Sequence, residues 1–403
     1  MTNGYRKQKL GGALAFLVAA GILSQPTEAN ANPGYSAWFR HHEELAGAWT
    51  FAAVPGDDLQ VHIKSTVDNE GPAKKVLILY PRPSSGYDIA ISKILDVFAS
   101  KNLEIDMHAI NFEKDDGNGA ATLELAEREG FDLIYSMGSE STAWLNQYYR
   151  NGDIPVVSVC SKDPVALGHI DNYETGSGSN FAFTSLNMPI DVQLAYLLDF
   201  KTELKNLGIL VGSRNISAIR TQAKPMEAAA KAKGINVQYI AIQDGDQTVD
   251  DIKRLLPEAI VEMRKTDPSL DNSLFWITGS TSVFSEINAI NQYADRVPVV
   301  SAVPEVVRAG DESAVLAVGI SFESNAYLAA VYGYDVLNGN VDPGELPVGI
   351  VSPPDIAINF RRARQIGLEV PFRFFESANY VYDYDGNPVR RAGKGLGPDK
   401  PQG

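Results

Sequence analysis

Small hydroxyl-bearing residues recur directly after the apolar runs of this sequence. Together with backbone N–H groups at helix starts, such side chains can hold a carboxylate without supplying a full positive charge. In the first half of the chain, the candidate binding positions are Ser84, Ser85, Tyr87, Ser139, Ser141, Thr142, Ser161 and Asp163. In the second half, they are Ser213, Gly279, Ser280, Thr281, Pro304, Glu305, Phe322 and Glu323. Because ligands of open parallel sheets bind at the carboxyl ends of the strands, we predict that these residues line one pocket.

The charged and aromatic candidates have specific expected roles. A buried carboxylate at Asp163, Glu305 or Glu323 would hold a ligand ammonium, because a buried charge needs a partner. Tyr87 or Phe322 would stack on a ligand ring. Each candidate also has an ordinary structural alternative, since Ser, Thr and Asp are favoured helix N-caps and aromatic rings pack in cores. Repetition of the pattern at several strand ends favours the pocket.

The sequence lacks the residue patterns of common enzyme classes, so we predict no catalytic residue, no metal ligand and no cofactor. It contains neither H-E-x-x-H nor G-x-S-x-G. Cys160 is the single cysteine and is expected to be a small buried apolar residue, with nothing that brings it to His169. The run 176–180 only begins like a dinucleotide fingerprint, and the acidic turns near 115 and 244 lack the closing acid of a calcium loop.

Residues 1–31 have the order of a secretory signal peptide. Arg6, Lys7 and Lys9 precede the apolar run Leu10–Leu23, and a small-x-small site ends at Ala31. The apolar run is shorter than the ~20 residues of a spanning helix, which predicts cleavage and export to the periplasm. The net charge of −15 opposes binding to nucleic acid or to anionic lipid surfaces.

Strand-like and helix-like segments alternate from residue 73 onward, which is typical of βαβ units. The strand-like runs are continuously apolar, so we expect both faces of each sheet to be buried, as in parallel sheets. The predicted strands are Val76–Tyr80, Ile105–Ile110, Leu133–Met137, Val156–Val159, Leu207–Val211, Val237–Ile242, Leu274–Thr278 and Val297–Val300. A turn-rich run at 176–180 separates two such sets, which predicts two similar lobes.

We therefore predict an α/β protein with two Rossmann-like lobes, parallel sheets and a hinge that the chain crosses more than once. Residues 32–72 are interpreted as a polar, irregular N-terminal extension, and residues 381–403 as a loose C-terminal tail. The segments assigned to the two lobes are 73–185 with 322–345 for lobe one and 186–321 with 346–380 for lobe two.

The second half of the sequence also carries a recognisable order of short motifs. Leu346-Pro347-Val348 is followed by Asn359 and then by a run from Ala363 to Pro371. Earlier in the chain come the loops 138–142 and 161–165, the latter containing Asp-Pro-Val. Taken together over residues 74–380, these motifs resemble ABC-transporter substrate-binding proteins, in the branch that includes tryptophan- and tyrosine-type receptors.

The resemblance implies a periplasmic-binding-protein type I fold and a receptor for a small amino-acid-like or carboxylated solute. The implied partners are this ligand and an ABC permease of the inner membrane, and we expect a monomer without a nucleic-acid partner. Contacts from both lobes would form only on closure, so ligand would select the closed state. The alternative is a periplasmic sensor subunit that reports to a membrane signalling receptor, because a fold does not fix a function.

Overall fold

The computed structural model describes residues 34–68 and 72–397, which all belong to one unit, Gly34–Gly403. The predicted signal peptide at 1–31 lies outside the described residues. Among the described helices, none has both the length and the apolar composition that crossing a bilayer requires.

The described chain alternates strands and helices through most of its length. The strands are β1 Trp49–Val54, β2 Asp57–Ser65, β3 Lys74–Tyr80, β4 Ile105–Asn111, β5 Leu133–Met137, β6 Val156–Val159, β7 Phe181–Ala182, β8 Thr184–Ser185, β9 Asn206–Gly212, β10 Asn236–Ile242, β11 Ser273–Ile277, β12 Val299–Ser301, β13 Leu316–Gly319, β14 Gly349–Ile350, β15 Asp355–Asn359, β16 Tyr380–Tyr382, β17 Pro388–Arg391 and β18 Lys394–Gly395. The α-helices are α1 Ser85–Ser100, α2 Asp116–Glu129, α3 Gly138–Tyr148, α4 Pro164–Leu167, α5 Ile190–Phe200, α6 Ile216–Ala218, α7 Lys224–Ala232, α8 Thr248–Met263, α9 Thr281–Phe284, α10 Ile287–Tyr293, α11 Phe322–Leu337, α12 Phe360–Gln365 and α13 Phe372–Ser377.

Two sheets form the cores of two lobes. Lobe one has the order β1-β2-β4-β3-β5-β6-β7, and lobe two has the order β10-β9-β11-β12-β13-β15-β16-β17-β18. The central strands β4-β3-β5-β6 and β10-β9-β11-β12-β13 pair in parallel. Every residue of β5, β6, β9 and β11 is buried, as expected for strands covered on both faces. The α/β prediction of two lobes with mostly parallel sheets is confirmed.

The N-terminal segment is more regular than the sequence analysis predicts. Strands β1 and β2 form an antiparallel hairpin, and β2 pairs antiparallel with β4, so the hairpin extends the sheet of lobe one. Trp49 of β1 and Val61 and Ile63 of β2 are buried. In β2 the buried apolar residues alternate with more exposed polar ones, because only one face of the strand is covered. Continuous apolar runs were the basis of the strand prediction, so a strand with one covered face was missed.

The C-terminal segment is likewise part of a sheet. Strands β16, β17 and β18 continue the sheet of lobe two beyond β15, although the sequence analysis predicts a loose tail from residue 381. The strands β17 and β18 are mostly exposed, so their sequence carries little apolar pattern. Arg390 fastens this edge by donating from Nη1 to the carbonyls of Phe375 and Ala378.

Within the described residues, the chain passes between the two sheets at three places, namely between β8 and α5, between β13 and α11, and between β14 and β15. The short strands β8 and β14 pair with each other in parallel beside these crossings. Helix α11 follows a strand of lobe two but packs on α1 of lobe one. Its Asn325 is fully buried, accepts the N–H of Cys160 at 2.7 Å and donates to the carbonyl of Ser185 at 3.1 Å. These bonds hold α11 at the end of β6.

Candidate functional site

A cleft of about 850 Å³ lies between the lobes, where the carboxyl ends of β3, β5 and β6 face those of β9, β10 and β11. This volume is within the range of roughly 300–1,000 Å³ that is typical of small-molecule sites. Its lining residues are Arg82, Ser84, Tyr87, Lys114, Ser139, Glu140, Ala143, Cys160, Lys162, Leu167, His169, Leu186, Arg214, Asn215, Ile216, Ser217, Arg220, Asp244, Gly279, Thr281, Ser282 and Phe322. Both lobes therefore contribute to one site, at the strand ends that the sheet topology indicates.

Part of the predicted set meets in this cleft. The predicted residues that line it are Ser84, Tyr87, Ser139, Gly279, Thr281 and Phe322. Ser139 also shapes the site, because its Oγ accepts the backbone N–H of Lys162 at 2.8 Å. These positions remain candidates for ligand contact.

Several predicted hydroxyls satisfy backbone groups instead of lining the cleft. Ser141 donates to the carbonyl of Leu79 at 3.0 Å, and Thr142 donates to a carbonyl one turn earlier at 2.9 Å. Ser280 accepts the N–H of Gly212 at 3.1 Å. All three side chains are fully buried. For these residues, local hydrogen bonding within the fold accounts for the hydroxyl, as the structural alternative anticipates.

The predicted acidic residues also lie outside the lining of the cleft. Asp163 caps the short helix α4 by accepting two backbone N–H groups. Glu305 is half-buried and its Oε1 accepts the first N–H of α11 at 2.6 Å. Glu323 pairs with Lys93 on the outer surface, with 3.0 Å between Nζ and Oε1. None of the three carboxylates is among the lining residues, so this cleft gives no support to their predicted role in holding a ligand ammonium.

The four remaining predicted positions are placed as follows. Ser85 is exposed at the start of α1, Pro304 is buried, and Ser213 is half-buried after β9. Ser161 is buried between two lining residues, and its Oγ has no hydrogen-bond partner among the described residues. None of the four lines the cleft.

The charged residues of the cleft were not predicted from the sequence. Basic side chains from both lobes line it, namely Arg82, Lys114, Lys162, Arg214 and Arg220. The acidic side chains of the lining are Glu140 and Asp244. The cleft therefore has a positive excess within a chain whose net charge is −15. A positive cleft in an acidic protein attracts anionic ligands selectively.

Lys162 is the most deeply placed of these cations. Its side chain is only 5% exposed, and it has no carboxylate within ion-pair distance among the described residues. Nζ donates to Oε1 of Gln222 at 3.2 Å, and the same oxygen accepts the N–H of Gly279 at 2.8 Å. Burial lowers the pKa of Lys162 to about 8, because the charged form is poorly solvated there. Since Gln222 and Gly279 belong to lobe two, Lys162 also links the lobes.

In lobe one, two cations share a single carboxylate. Nε of Arg82 lies 2.8 Å from Oε2 of Glu140, and Nζ of Lys114 lies 2.5 Å from its Oε1. The guanidinium of Arg82 also lies 5.8 Å from the centre of the Tyr87 ring, whose pKa burial raises. Two positive charges thus face the cleft with one negative charge between them.

Lobe two contributes a smaller charged group at the mouth. Arg214 is exposed, and its Nε lies 3.5 Å from Oδ2 of Asp244. The other carboxylate oxygen of Asp244, Oδ1, accepts the hydroxyl of Ser282. Arg220 donates across the cleft to the carbonyl of Ala166 in lobe one at 3.4 Å. The guanidinium groups of both arginines remain exposed to water, so they can contact a ligand as it enters the cleft.

The remaining wall is apolar and aromatic. Tyr87, Phe322 and Leu186 are buried residues that line it. His169 also lines the cleft, and its Nε2 is buried without a hydrogen-bond partner among the described residues. Burial lowers the pKa of His169, helped by nearby arginines, which favours a neutral ring that can bind a polar group. The site therefore combines cations, an apolar wall and one neutral imidazole.

Neither family models nor curated proteins match this sequence. Solved structures match its backbone over about three quarters of the chain. An ABC domain from Streptococcus pneumoniae, in complex with L-Trp, is 18% identical with a TM-score of 0.58, covering 76% of this chain and 100% of that one. CD0873, a substrate-binding protein with adhesive properties from Clostridium difficile, is 20% identical with a TM-score of 0.58. The match covers 76% of this chain and 98% of that one. This chain has the type I periplasmic-binding-protein fold.

The backbone of a conserved domain protein from Vibrio cholerae also matches, at 17% identity and a TM-score of 0.60. The match covers 77% of this chain and all of that one. The fold implied by the sequence motifs is therefore confirmed. At these identities the comparisons concern the fold, and the ligand has to be argued from the cleft of this chain.

Proposed function

We propose that this chain is a periplasmic solute-binding protein that captures a small carboxylated or amino-acid-like anion between its lobes and delivers it to an ABC importer. The observation that carries the proposal is the positive excess of the interlobe cleft, and above all the buried Lys162. The predicted signal peptide and the similarity to ABC-transporter proteins support the location and the transport role.

The charge of the ligand follows from the state of Lys162. Burying a cation without a carboxylate is unfavourable, and its single side-chain bond to Gln222 compensates only part of the lost hydration. A ligand carboxylate beside Nζ would supply the missing charge and form a charge-assisted hydrogen bond. The site is therefore complementary to an anion.

The other lining groups fit the rest of such a ligand. Arg82 and Lys114 share Glu140, so they retain attraction for a second negative group or a polar end of the ligand. Tyr87 and Phe322 offer apolar surface to its body, and neutral His169 offers one further hydrogen bond. This division of a polar end and an apolar wall is typical of small-molecule sites.

A thermal-shift screen of the mature protein, from Asn32 onward, tests this proposal. The panel contains amino acids, aromatic carboxylates, dicarboxylates, nucleosides and neutral sugars. A ligand at a hundred times its dissociation constant adds about 2.7 kcal/mol of stability, which raises the Tm by several degrees at about 2–4 °C per kcal/mol.

We expect the shifts to be confined to carboxylated members of the panel, with each hit recovered chemically unchanged. Stabilisation by neutral sugars alone would contradict the proposed ligand class. Conversion of a hit into a product would contradict the assignment as a receptor.

A further inference from the structure

A second cluster of chemically active side chains lies on the sheet of lobe one, outside the lining of the cleft. It consists of His62 on β2 and of Asp106 and His108 on β4. One ligand atom from each residue lies within 4.8 Å of the other two. Imidazole nitrogens and a carboxylate oxygen are the donors that Zn²⁺ and related divalent ions prefer.

The backbone register brings these residues together. In the antiparallel β2–β4 pair, His62 lies directly opposite His108, and Lys64 lies opposite Asp106. Directly opposed residues share a face, and residues two apart on a strand share it as well. The two histidines and the aspartate therefore project from one face, with the His62 and His108 ring centres 4.4 Å apart.

The carboxylate stands at the centre of the cluster. Oδ1 of Asp106 contacts Nε2 of His62 and lies 3.6 Å from Nε2 of His108. A metal ion needs each donor at about 2.0–2.2 Å, so small rotations of these side chains would seat an ion between the three atoms. All three side chains are between 20% and 29% exposed, which leaves the centre open to an ion from solution.

Neighbouring groups restrict the orientation of the ligands. Nζ of Lys64 lies 3.5 Å from Oδ2 of Asp106, which leaves Oδ1 directed at the histidines. The ring of Phe131 packs edge-on against His108, with 5.2 Å between centres. The packed ring of Phe131 limits rotation of the His108 imidazole, as partners that orient metal ligands do. Lys64 is a cation that competes with the ion for Asp106, and because it is more than half exposed it can move toward water as an ion enters.

We propose that His62, Asp106 and His108 bind one divalent transition-metal ion of the Zn²⁺ class, with water completing the coordination. Because β2 belongs to the N-terminal hairpin and β4 to the central sheet, the ion would fasten the hairpin to lobe one. The site does not depend on the proposed solute-binding function. It escapes motif searches because His62 and Asp106 are 44 positions apart.

The test is a calorimetric titration of metal-free mature protein with zinc chloride. We expect one saturable site in the wild type, and binding weakened roughly 100-fold or more in His62→Gln and His108→Gln. The matched controls are His41→Gln and His42→Gln, which alter exposed or half-exposed histidines of the same N-terminal segment outside the cluster and should bind as the wild type does. Titration with magnesium chloride should give no comparable binding, since Mg²⁺ prefers oxygen ligands.

A wild type without saturable zinc binding would overturn the proposal, and so would wild-type affinity in folded His62→Gln and His108→Gln proteins. Lys64→Ala provides a variant that leaves all three ligands in place. Because it removes a competing cation beside Asp106, it should bind zinc several-fold more tightly. Weaker zinc binding by Lys64→Ala would contradict the arrangement.

Discussion

Lys162 combines two properties that are costly in a folded protein, since it is a cation and it is buried away from any carboxylate of the described chain. A group of this kind persists where a ligand supplies the missing charge. At the scale of single residues, the buried charge of Lys162 should therefore lower the stability of the fold, and removal of that charge should raise it.

We predict that Lys162→Met stabilises the ligand-free protein by about 2–3 kcal/mol at pH 7. Methionine keeps the volume of the side chain but carries no charge. The folded pKa of about 8 lies below the usual lysine value of 10.5, so the wild type carries the full cost below pH 8 and loses it between pH 8 and 10.5. The difference in urea-unfolding free energy between variant and wild type should shrink over this range.

Lys114→Met is the matched control, because Lys114 is about half exposed and pairs with Glu140. Its stability should stay within about 1 kcal/mol of the wild type. A destabilised Lys162→Met protein, or a gain that does not change between pH 7 and 10.5, would contradict the interpretation of Lys162.

Glu305 gives an independent prediction about pH. Burial raises its pKa to about 8 from the usual glutamate value of 4.5, and its Oε2 has no hydrogen-bond partner among the described residues. The folded protein therefore holds a proton that the unfolded chain releases between pH 4.5 and 8, so this group makes stability fall as pH rises through that window.

Glu305→Gln should remove this contribution while its side-chain oxygen still accepts the N–H of Phe322. Relative to the wild type, the variant should gain about 3 kcal/mol between pH 4.5 and pH 7. Denaturant unfolding at several pH values measures the difference. A constant difference across the window would show that Glu305 does not titrate as described.

The sequence indicated the location of the site better than its chemistry. Ser84, Ser139 and Thr281 were predicted because they follow strands, and the carboxyl ends of parallel strands meet at one edge of a sheet. Arg82, which follows β3, and Lys162, which follows β6, were not predicted although they lie at equivalent positions. Basic residues directly after buried strands were the available signal. Which hydroxyls would instead bind backbone groups depends on tertiary contacts that the sequence does not display.

At the scale of elements, the close approach of α1 and α11 shapes the apolar wall of the cleft. Gly86 of α1 faces the ring of Phe322, the first residue of α11. A Cβ at position 86 would lie 2.7 Å from Cε1 of that ring, closer than packed atoms permit. The glycine therefore sets the distance between the helices beside the site.

We predict that Gly86→Ala destabilises the protein by about 1–3 kcal/mol through overpacking. It should also weaken ligand binding, because the displaced Phe322 lines the cleft. Urea unfolding measures the first effect and titration with a hit from the screen measures the second. Gly47→Ala is the control, since a Cβ there would meet no atom within 4 Å. Equal stabilities of the two variants would contradict the packing argument.

The elements themselves were predictable where both faces of a strand are covered. The runs Leu133–Met137 and Val156–Val159 match β5 and β6 residue for residue. The hairpin β1–β2 and the mostly exposed strands β17 and β18 were not predicted because they bury one face or neither. Their pairing depends on the sheet edge that receives them, which is not encoded in their own composition.

At the scale of the whole molecule, three chain crossings connect the lobes beside the cleft. The described bonds between facing walls are few, such as those from Lys162 to Gln222 and from Arg220 to the carbonyl of Ala166. An anion between the walls would add contacts to both sides and so favour a closed arrangement.

We therefore predict that the radius of gyration of the mature protein decreases when a hit from the screen is added at saturation. Small-angle X-ray scattering measures this change, with a non-binding panel member as the control. An unchanged radius with fully bound ligand would contradict closure by contacts from both lobes.

The central claim is that the interlobe cleft binds an anion through Lys162. Calorimetric titration of a carboxylated hit into the wild type, Lys162→Met and Lys114→Met tests it most directly. We predict that Lys162→Met binds at least about 30-fold more weakly, which corresponds to about 2 kcal/mol, whereas Lys114→Met changes affinity much less. Wild-type affinity in a folded Lys162→Met protein would contradict the claim.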